Sequence, residues 1–348
     1  MSNLASNLQS EMDRLPKIDL HRHLEGSLRI ETLIELVRRE ELDLPSDKNA
    51  LQAIVQMQPD EPRTSANFLA KFTHLRHFFR SPEIIHRVTW EAIADAAADN
   101  VRYLELHFTP LALSDVGDFP LSEVVDWVVE AASVAAVEHA LHLGLILSVN
   151  RHEGVKFAEQ VAKIAVDRKE RGVVGLSLAG DESNYSAEPF EPIFSAVREA
   201  GLGISIHAGE WAGPENVRYA IEVMGAPRIG HGVRVMEDQE VIRLARDRRV
   251  AFEICLTSNV QTGAVSSIRE HPMPRMLQAG LQVTLNTDDP GVSDTRLSDE
   301  YALAMREFDL SLESIRGLNL TALQASFLPP GKKANLESEF LADMLPSN

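Results

Sequence analysis

The sequence predicts an α/β protein, specifically a (β/α)8 TIM barrel with a helical insertion between strands 1 and 2. Short apolar, β-rich runs recur along the 348 residues, and amphipathic stretches with helical spacing separate most of them. No glycine-rich phosphate turn follows the first run, as it normally would in an open doubly wound sheet. The eight runs lie at 17–23, 103–108, 143–149, 173–180, 202–209, 228–232, 250–258 and 282–289.

The segment between the first two runs is the longest connection in the pattern. Residues 40–100 exceed one helix, and prolines interrupt them, which predicts several helices inserted at the barrel mouth as a lid. Within it, Phe68 and Phe72 follow helical spacing. They form either a core stripe or a hydrophobic wall over a flat aromatic ligand. Because barrels with insertions often fill such a length, we expect residues 1–348 to form one domain.

Composition excludes several classes of protein. The 44% hydrophobic and 25% charged fractions are those of a globular chain. A formal net charge of −18 argues against binding to nucleic acid or to an anionic membrane surface, but it allows a neutral nucleoside as ligand. No leader pattern and no run long enough to span a bilayer is present, which predicts a cytoplasmic protein. Nothing in the pattern indicates an oligomeric state.

Histidines and carboxylates cluster where the predicted strands end. The carboxyl ends of barrel strands carry the catalytic groups, and two-residue spacing aims the first two imidazoles the same way. Three histidines and one carboxylate suit Zn²⁺, whereas a single cysteine excludes the Cys-x-x-Cys zinc deaminases. The sequence therefore predicts a metal site. Its candidate residues, at four separate strand ends, are His21, His23, His207, His231 and Asp288.

Further polar residues surround the same predicted mouth. Glu210, His231 and Asp289 are of the right types to transfer protons and to orient a nucleophile. His107 and His152 lie at the ends of the second and third strands and are further candidates to line a pocket. These residues predict a hydrolase in which a metal-activated water is the nucleophile.

At these residues the sequence resembles the adenosine deaminase family of the amidohydrolase superfamily. Matching motifs run in order through most of the chain: PKIDLHRHLEGSL, FLAKF, GLSLAGDE, SIHAGE, RIGHG, FEICLTSN and TLNTDDP. The resemblance implies a single metal-dependent hydrolase domain with one Zn²⁺ per chain, held by His21, His23, His207 and Asp288. The fourth strand ends without the lysine that bridges two metals in other amidohydrolase barrels, which also favours a single ion.

The resemblance also implies roles in the reaction. Glu210 is expected to protonate ring N1, and His231 to orient or deprotonate the water on the zinc. Asp289 is expected to hold the hydroxide and contact N7. The backbone N–H of Gly180 is expected to hold N3 of a purine.

Other residues carry the expected contacts with the rest of the substrate. His23 and Glu25 are expected to line the substrate site, and Phe68 and Phe72 match the apolar lid of the family. Glu25 stands where animal adenosine deaminases have an aspartate that contacts the ribose 5′-hydroxyl, and adenine deaminases and aminodeoxyfutalosine deaminases also have glutamate there. Ser177 also departs from the family, in which many members have aspartate there.

The family resemblance leads to one expected reaction and two alternatives. We expect hydrolytic deamination of adenosine and 2′-deoxyadenosine to inosine or deoxyinosine and ammonia, because TSNVQTGAV and TLNTDDP resemble bacterial nucleoside deaminases more than the free-base type. One alternative is a 6-aminodeoxyfutalosine deaminase of menaquinone biosynthesis, which a roomier pocket near Glu25 would favour. The other is a catalytically silent purine-binding protein.

Overall fold

Within residues 2–344, eight parallel strands form one sheet whose order follows the chain, so that each strand pairs with the next. A parallel bridge between Arg22 and Asp288 joins the segment after the last strand to the first strand. The nearly closed parallel sheet confirms the predicted α/β barrel. The strands are β1 (Lys17–His23), β2 (Val101–Phe108), β3 (His142–Asn150), β4 (Val173–Ala179), β5 (Gly203–His207), β6 (Arg228–Gly230), β7 (Ala251–Ile254) and β8 (Gln282–Leu285).

The computed structural model describes residues 2–344. Residue 1 and residues 345–348 of the expected single domain therefore lie outside the described residues. The helices are α1 (Ser2–Arg14), α2 (Ile30–Arg39), α3 (Lys48–Val55), α4 (Ser65–Leu75), α5 (Pro82–Ala98), α6 (Pro110–Ser114), α7 (Leu121–Glu138), α8 (Val155–Asp167), α9 (Glu191–Glu199), α10 (Pro214–Glu222), α11 (Gln239–Asp247), α12 (Leu256–Gln261), α13 (Met273–Gln278), α14 (Pro290–Ser293), α15 (Leu297–Phe308), α16 (Leu312–Ala325) and α17 (Pro330–Met344).

Several helices lie between β1 and β2. Side-chain oxygens of Asp47, Thr64 and Ser81 accept backbone N–H groups and cap the starts of α3, α4 and α5, as these residue types commonly do. The last of these helices, α5, packs against β2 and α7 as part of the outer ring. The expected insertion, residues 40–100, thus includes one ordinary barrel helix, and α3 and α4 are its additional part.

Strands β5 to β8 end earlier than the apolar runs predicted. The run at 250–258 contains the end of β7 and the start of α12, and the run at 282–289 leaves the sheet after Leu285. Just beyond β6 and β8, His231 and Asp288 have φ angles of 60° and 64°. Such left-handed backbone is strained for residues other than glycine and is frequently found at functional sites. These two residues therefore lie beyond the ends of β6 and β8, in left-handed backbone.

The barrel interior holds a buried ionic group below the mouth. Arg228 is fully buried and donates hydrogen bonds to Glu105 and Glu253. Its guanidinium carbon lies 3.8 Å from the ring centroid of Phe327, and the Ser205 hydroxyl donates to Glu253 at 2.9 Å. The buried charges are therefore paired and hydrogen-bonded, as a low-dielectric interior requires.

The helices carry no sign of a membrane segment. Among residues 2–344, none is both long enough and apolar enough to cross a bilayer.

Candidate active site

A cavity of about 630 Å³ opens at the carboxyl ends of the strands, where barrels hold their reactive groups. His21 lies beneath this cavity and is fully buried. The structure thus brings the sequence-predicted residues together at one place. Those that line the cavity are His23, Glu25, Phe68, Phe72, Gly180, His207, Glu210, His231, Asp288 and Asp289.

The first group of candidate metal ligands comes from β1 and the turn after β8. The Nε2 atoms of His21 and His23 lie 3.2 Å apart, and they lie 3.4 and 3.5 Å from Oδ1 of Asp288. Alternating side chains place both imidazoles on the inner face of β1. Two nitrogens and a carboxylate oxygen therefore converge on one point.

His207, at the end of β5, completes this set. Its ring centroid lies 4.6 Å from that of His21, and its buried Nε2 has no hydrogen-bond partner. An unpaired buried nitrogen is costly unless something binds it, and a nitrogen-rich donor set with one carboxylate suits a zinc-like ion. The residues present therefore fit one metal ion. Ligand atoms of His21, His207 and His231 also lie within 4.8 Å of one another, so His231 borders the same point.

The carboxylate of Glu253, which the sequence analysis did not identify, orients the ring of His21. Nδ1 of His21 lies 2.6 Å from Oε2 of Glu253, which leaves Nε2 to face the other ligands. Histidines that bind metals are commonly oriented by such a carboxylate. Similarly, the Ser258 hydroxyl donates to Oδ2 of Asp288 at 2.6 Å, which leaves Oδ1 toward the imidazoles.

A chain of hydrogen bonds fixes the protons of His231. The backbone N–H of Met273 donates to Nδ1 of His271, so Nε2 of that ring carries a proton and meets Oδ1 of Asn259 at 3.2 Å. The amide Nδ2 of Asn259 then donates to Nδ1 of His231 at 3.0 Å. Burial lowers the pKa of His231 to about 4. The ring is therefore neutral near pH 7, with its proton on Nε2.

Carboxyl groups at the mouth are driven to opposite charge states. Burial and the nearby carboxylates of Asp288 and Glu182 raise the pKa of Glu210 well above its usual range. Burial and the adjacent Asp288 do the same for the pKa of Asp289. For Asp288, burial raises the pKa, but the hydrogen bond with His21 and the nearby imidazoles together outweigh burial and lower it. Different surroundings thus move the pKa values of nearby carboxyl groups in opposite directions, which in active sites separates proton donors from anionic groups.

Glycines allow close approaches around these groups. A Cβ on Gly26 would lie 1.9 Å from Oδ1 of Asp289, so only glycine fits there. Gly180 follows β4 with φ of 85°, a conformation that favours glycine. This turn lets the backbone line the cavity directly.

The outer wall comes from the additional helices. Phe68 is buried and Phe72 is half-buried, their ring centroids lie 6.0 Å apart, and both line the cavity. Of the two further histidine candidates, His152 also lines the cavity, whereas His107 lies below it against His21, with ring centroids 5.0 Å apart. Ser177 is fully buried and its hydroxyl has no partner; nothing in the structure explains why serine stands there.

Comparison with known proteins identifies the family. The family model described as adenosine deaminase matches residues 16–342. The chain belongs to the adenosine deaminase family. This confirms the resemblance inferred from the motifs, and the barrel mouth described above is therefore that of an adenosine deaminase family member.

The names of similar proteins refer to different substrates. An adenosine deaminase of Klebsiella pneumoniae is 36% identical over 324 residues, which cover 92% of this chain and 96% of the relative. The apo structure of the N6-methyl-AMP deaminase from Arabidopsis thaliana is 30% identical with a TM-score of 0.85, covering 96% of this chain and 98% of that one. The adenine deaminase from Arthrobacter aurescens is 26% identical with a TM-score of 0.86, covering 94% and 98%.

Proposed function

We propose that the chain is a zinc-dependent aminohydrolase that deaminates adenosine and 2′-deoxyadenosine, giving inosine or deoxyinosine and ammonia. The observation that carries this proposal is the convergence of three imidazoles and one carboxylate beside a buried carboxyl group with a raised pKa, in a chain of this family. His21, His23, His207 and Asp288 would hold one Zn²⁺. When bound, the ion lowers the pKa of a water molecule and so supplies hydroxide near neutral pH.

Glu210 acts as the proton donor in this proposal. Its raised pKa favours the protonated carboxyl group, which donates its proton to ring N1 and so makes C6 electron-poor. Addition of hydroxide to C6 makes this carbon tetrahedral. The proton of the new C6 hydroxyl passes to the exocyclic nitrogen, the bond from C6 to that nitrogen breaks, and ammonia leaves with the electron pair while C6 becomes a carbonyl. The proton from Glu210 stays on N1 of the product, and the proton released when water ionised to hydroxide restores Glu210.

The remaining residues orient the reactants. His231 carries its proton on Nε2, because Asn259 donates to Nδ1, so it orients the nucleophile as a hydrogen-bond donor and does not deprotonate it. Asp289 contacts N7 and the attacking oxygen. Its raised pKa favours the protonated carboxyl group, which can donate a hydrogen bond to N7. The backbone N–H of Gly180 donates to N3.

Glu25 supports a nucleoside as substrate over a free base or a nucleotide. One of its carboxyl oxygens accepts the Thr109 N–H at 2.6 Å, and the other is buried without a partner. A ribose hydroxyl would satisfy this second oxygen, whereas a free base would leave it unpaired. A 5′-phosphate would meet a carboxyl group that burial holds at a pKa of about 7, so it is disfavoured by charge as that group ionises.

A substrate panel tests the proposal. Ammonia release is measured with adenosine, 2′-deoxyadenosine, adenine, N6-methyl-AMP and 6-aminodeoxyfutalosine; for N6-methyl-AMP the expected leaving group is methylamine, which is measured separately. We expect the highest kcat/KM with adenosine and 2′-deoxyadenosine. A preference for 6-aminodeoxyfutalosine would retain the chemistry but replace the substrate. No release from any compound would contradict the proposal and favour a purine-binding protein.

A further inference from the structure

One buried carboxylate takes no direct part in the chemistry above, yet it holds the segment that carries Glu210. Glu182 follows β4 and is 4% exposed. Its Oε2 accepts three backbone N–H groups, from Glu210 at 3.0 Å, Trp211 at 3.0 Å and Ala212 at 3.2 Å. Its Oε1 accepts the N–H of Gly209 at 2.6 Å. Four consecutive amides after β5 therefore point at a single carboxylate.

A side chain from α10 adds a fifth donor to this carboxylate. Nδ2 of Asn216 lies 3.0 Å from Oε1 of Glu182. Hydrogen bonds to an ionised acceptor are shorter and about twice as strong as neutral ones. Together they fix the path of the chain from Gly209 into the start of α10.

Beyond a hydrogen bond with Thr262, the side chain of Glu210 has few anchors of its own. Its Oε2 lies 3.5 Å from Nε2 of His231, which is too long for a strong hydrogen bond. The position of its carboxyl group therefore depends on the backbone that Glu182 holds. On the other side of the same turn, Arg151 donates to the carbonyl oxygen of His207 at 2.6 Å. The end of β5 is thus braced from the ends of both β3 and β4.

We propose that Glu182 is a positioning residue, which fixes the turn at residues 209–212 so that the carboxyl group of Glu210 meets the substrate ring nitrogen. This inference rests on the proton-donor role proposed for Glu210. It assigns to Glu182 no contact with the substrate or the metal. Its effect on turnover must then pass through Glu210.

A double-mutant cycle tests this dependence. Glu182→Gln keeps the volume of the side chain but turns an amide NH₂ toward backbone N–H groups. At full zinc content, we expect kcat to fall about 10- to 100-fold, as small misplacements of catalytic groups do, with little change in KM. In the Glu210→Gln background the same substitution should change kcat by less than about 2-fold, since coupled residues are not additive.

A matched control separates positioning from general loss of stability. Asp99 is also a buried carboxylate that accepts a backbone N–H, from Ser298 at 3.0 Å, but it precedes β2 at the opposite end of the barrel. Asp99→Asn should lower stability and leave kcat unchanged. Equal losses of kcat from Glu182→Gln in both Glu210 backgrounds, or no loss in either, would overturn the inference.

Hydrogen exchange gives a readout that does not depend on turnover. Amides 209–212 should exchange faster in Glu182→Gln, with no change at residues 21–23; unchanged exchange at 209–212 would overturn the inference. If Glu182→Gln does not fold, Asn216→Asp replaces it, because a second carboxylate 3.0 Å from Glu182 loosens the same turn. Normal turnover by Glu210→Gln alone would instead contradict the proposed role of Glu210.

Discussion

Single residues at the mouth of the barrel differ in charge because their surroundings differ. Asp288 and Asp289 are neighbours in sequence, yet the nearby imidazoles lower the pKa of the first, while burial beside another carboxylate raises the pKa of the second. Glu210 shares the second kind of environment. The mouth of the barrel therefore offers both an anionic ligand and carboxyl groups whose raised pKa favours the protonated form.

The state of Glu210 predicts how the rate depends on pH. Its pKa in the folded protein is raised, so the protonated donor is present below that pKa and is lost as the pH rises through it. We expect kcat to fall on the alkaline side with a single ionisation. In Glu210→Gln this limb should disappear and kcat should be at least about 100-fold lower with zinc retained. An unchanged alkaline limb in the variant would assign the ionisation to another group.

The sequence analysis identified residues that could contact the metal or the substrate directly. It did not identify the residues that orient them by hydrogen bonds. His21, His23 and His207 stand at strand ends, where alternation and barrel topology fix their direction. Glu182 follows β4 and Glu253 lies within β7, but each contacts a residue more than 25 positions away, so its role does not show in its position along the chain. Their partners became visible only when the fold brought separate strands together.

At the scale of elements, the strands were easier to predict than their ends. The predicted runs continue past β7 and β8 because much of α12 and the segment from Asn286 to Asp289 are also buried. Periodicity cannot separate a buried strand from a short buried helix. The insertion predicted at 40–100 was similarly too broad, because it includes α5, which belongs to the outer ring of the barrel.

The helix α4 tests whether the additional helices serve as a lid over the substrate. Phe72 is half-buried and lines the cavity, so Phe72→Ala should raise KM about 10-fold, because roughly 1–2 kcal/mol of apolar contact is lost. Leu75, on the same helix, is 2% exposed and does not line this cavity. Leu75→Ala should reduce stability with little change in KM. Equal KM values for both variants and the unmodified protein would contradict a substrate contact by α4.

For the whole molecule, the buried ionic group around Arg228 joins opposite sides of the barrel. It connects Glu105 on β2 to Glu253 on β7, and Glu253 in turn holds His21. Stability of the barrel and geometry of the site therefore depend on the same residues. Removing one member leaves uncompensated buried charge, which is strongly destabilising.

Urea unfolding measures this contribution. Arg228→Met should lower the free energy of unfolding by about 3–5 kcal/mol, because two carboxylates remain buried without their cation. Arg218 also pairs with two carboxylates, Asp238 and Glu240, but at the surface. Arg218→Met should cost at most about 1 kcal/mol. Similar losses for the two variants would show that burial of the ionic group has no special role.

Metal content and turnover, followed together, test the central claim most directly. Chelation should abolish ammonia release from adenosine, and stepwise return of Zn²⁺ should restore it in proportion to bound metal, reaching full activity at one ion per chain. His21→Ala should bind the ion weakly and remain inactive at the same zinc concentration. Full activity in a chain shown to hold no metal would contradict the account.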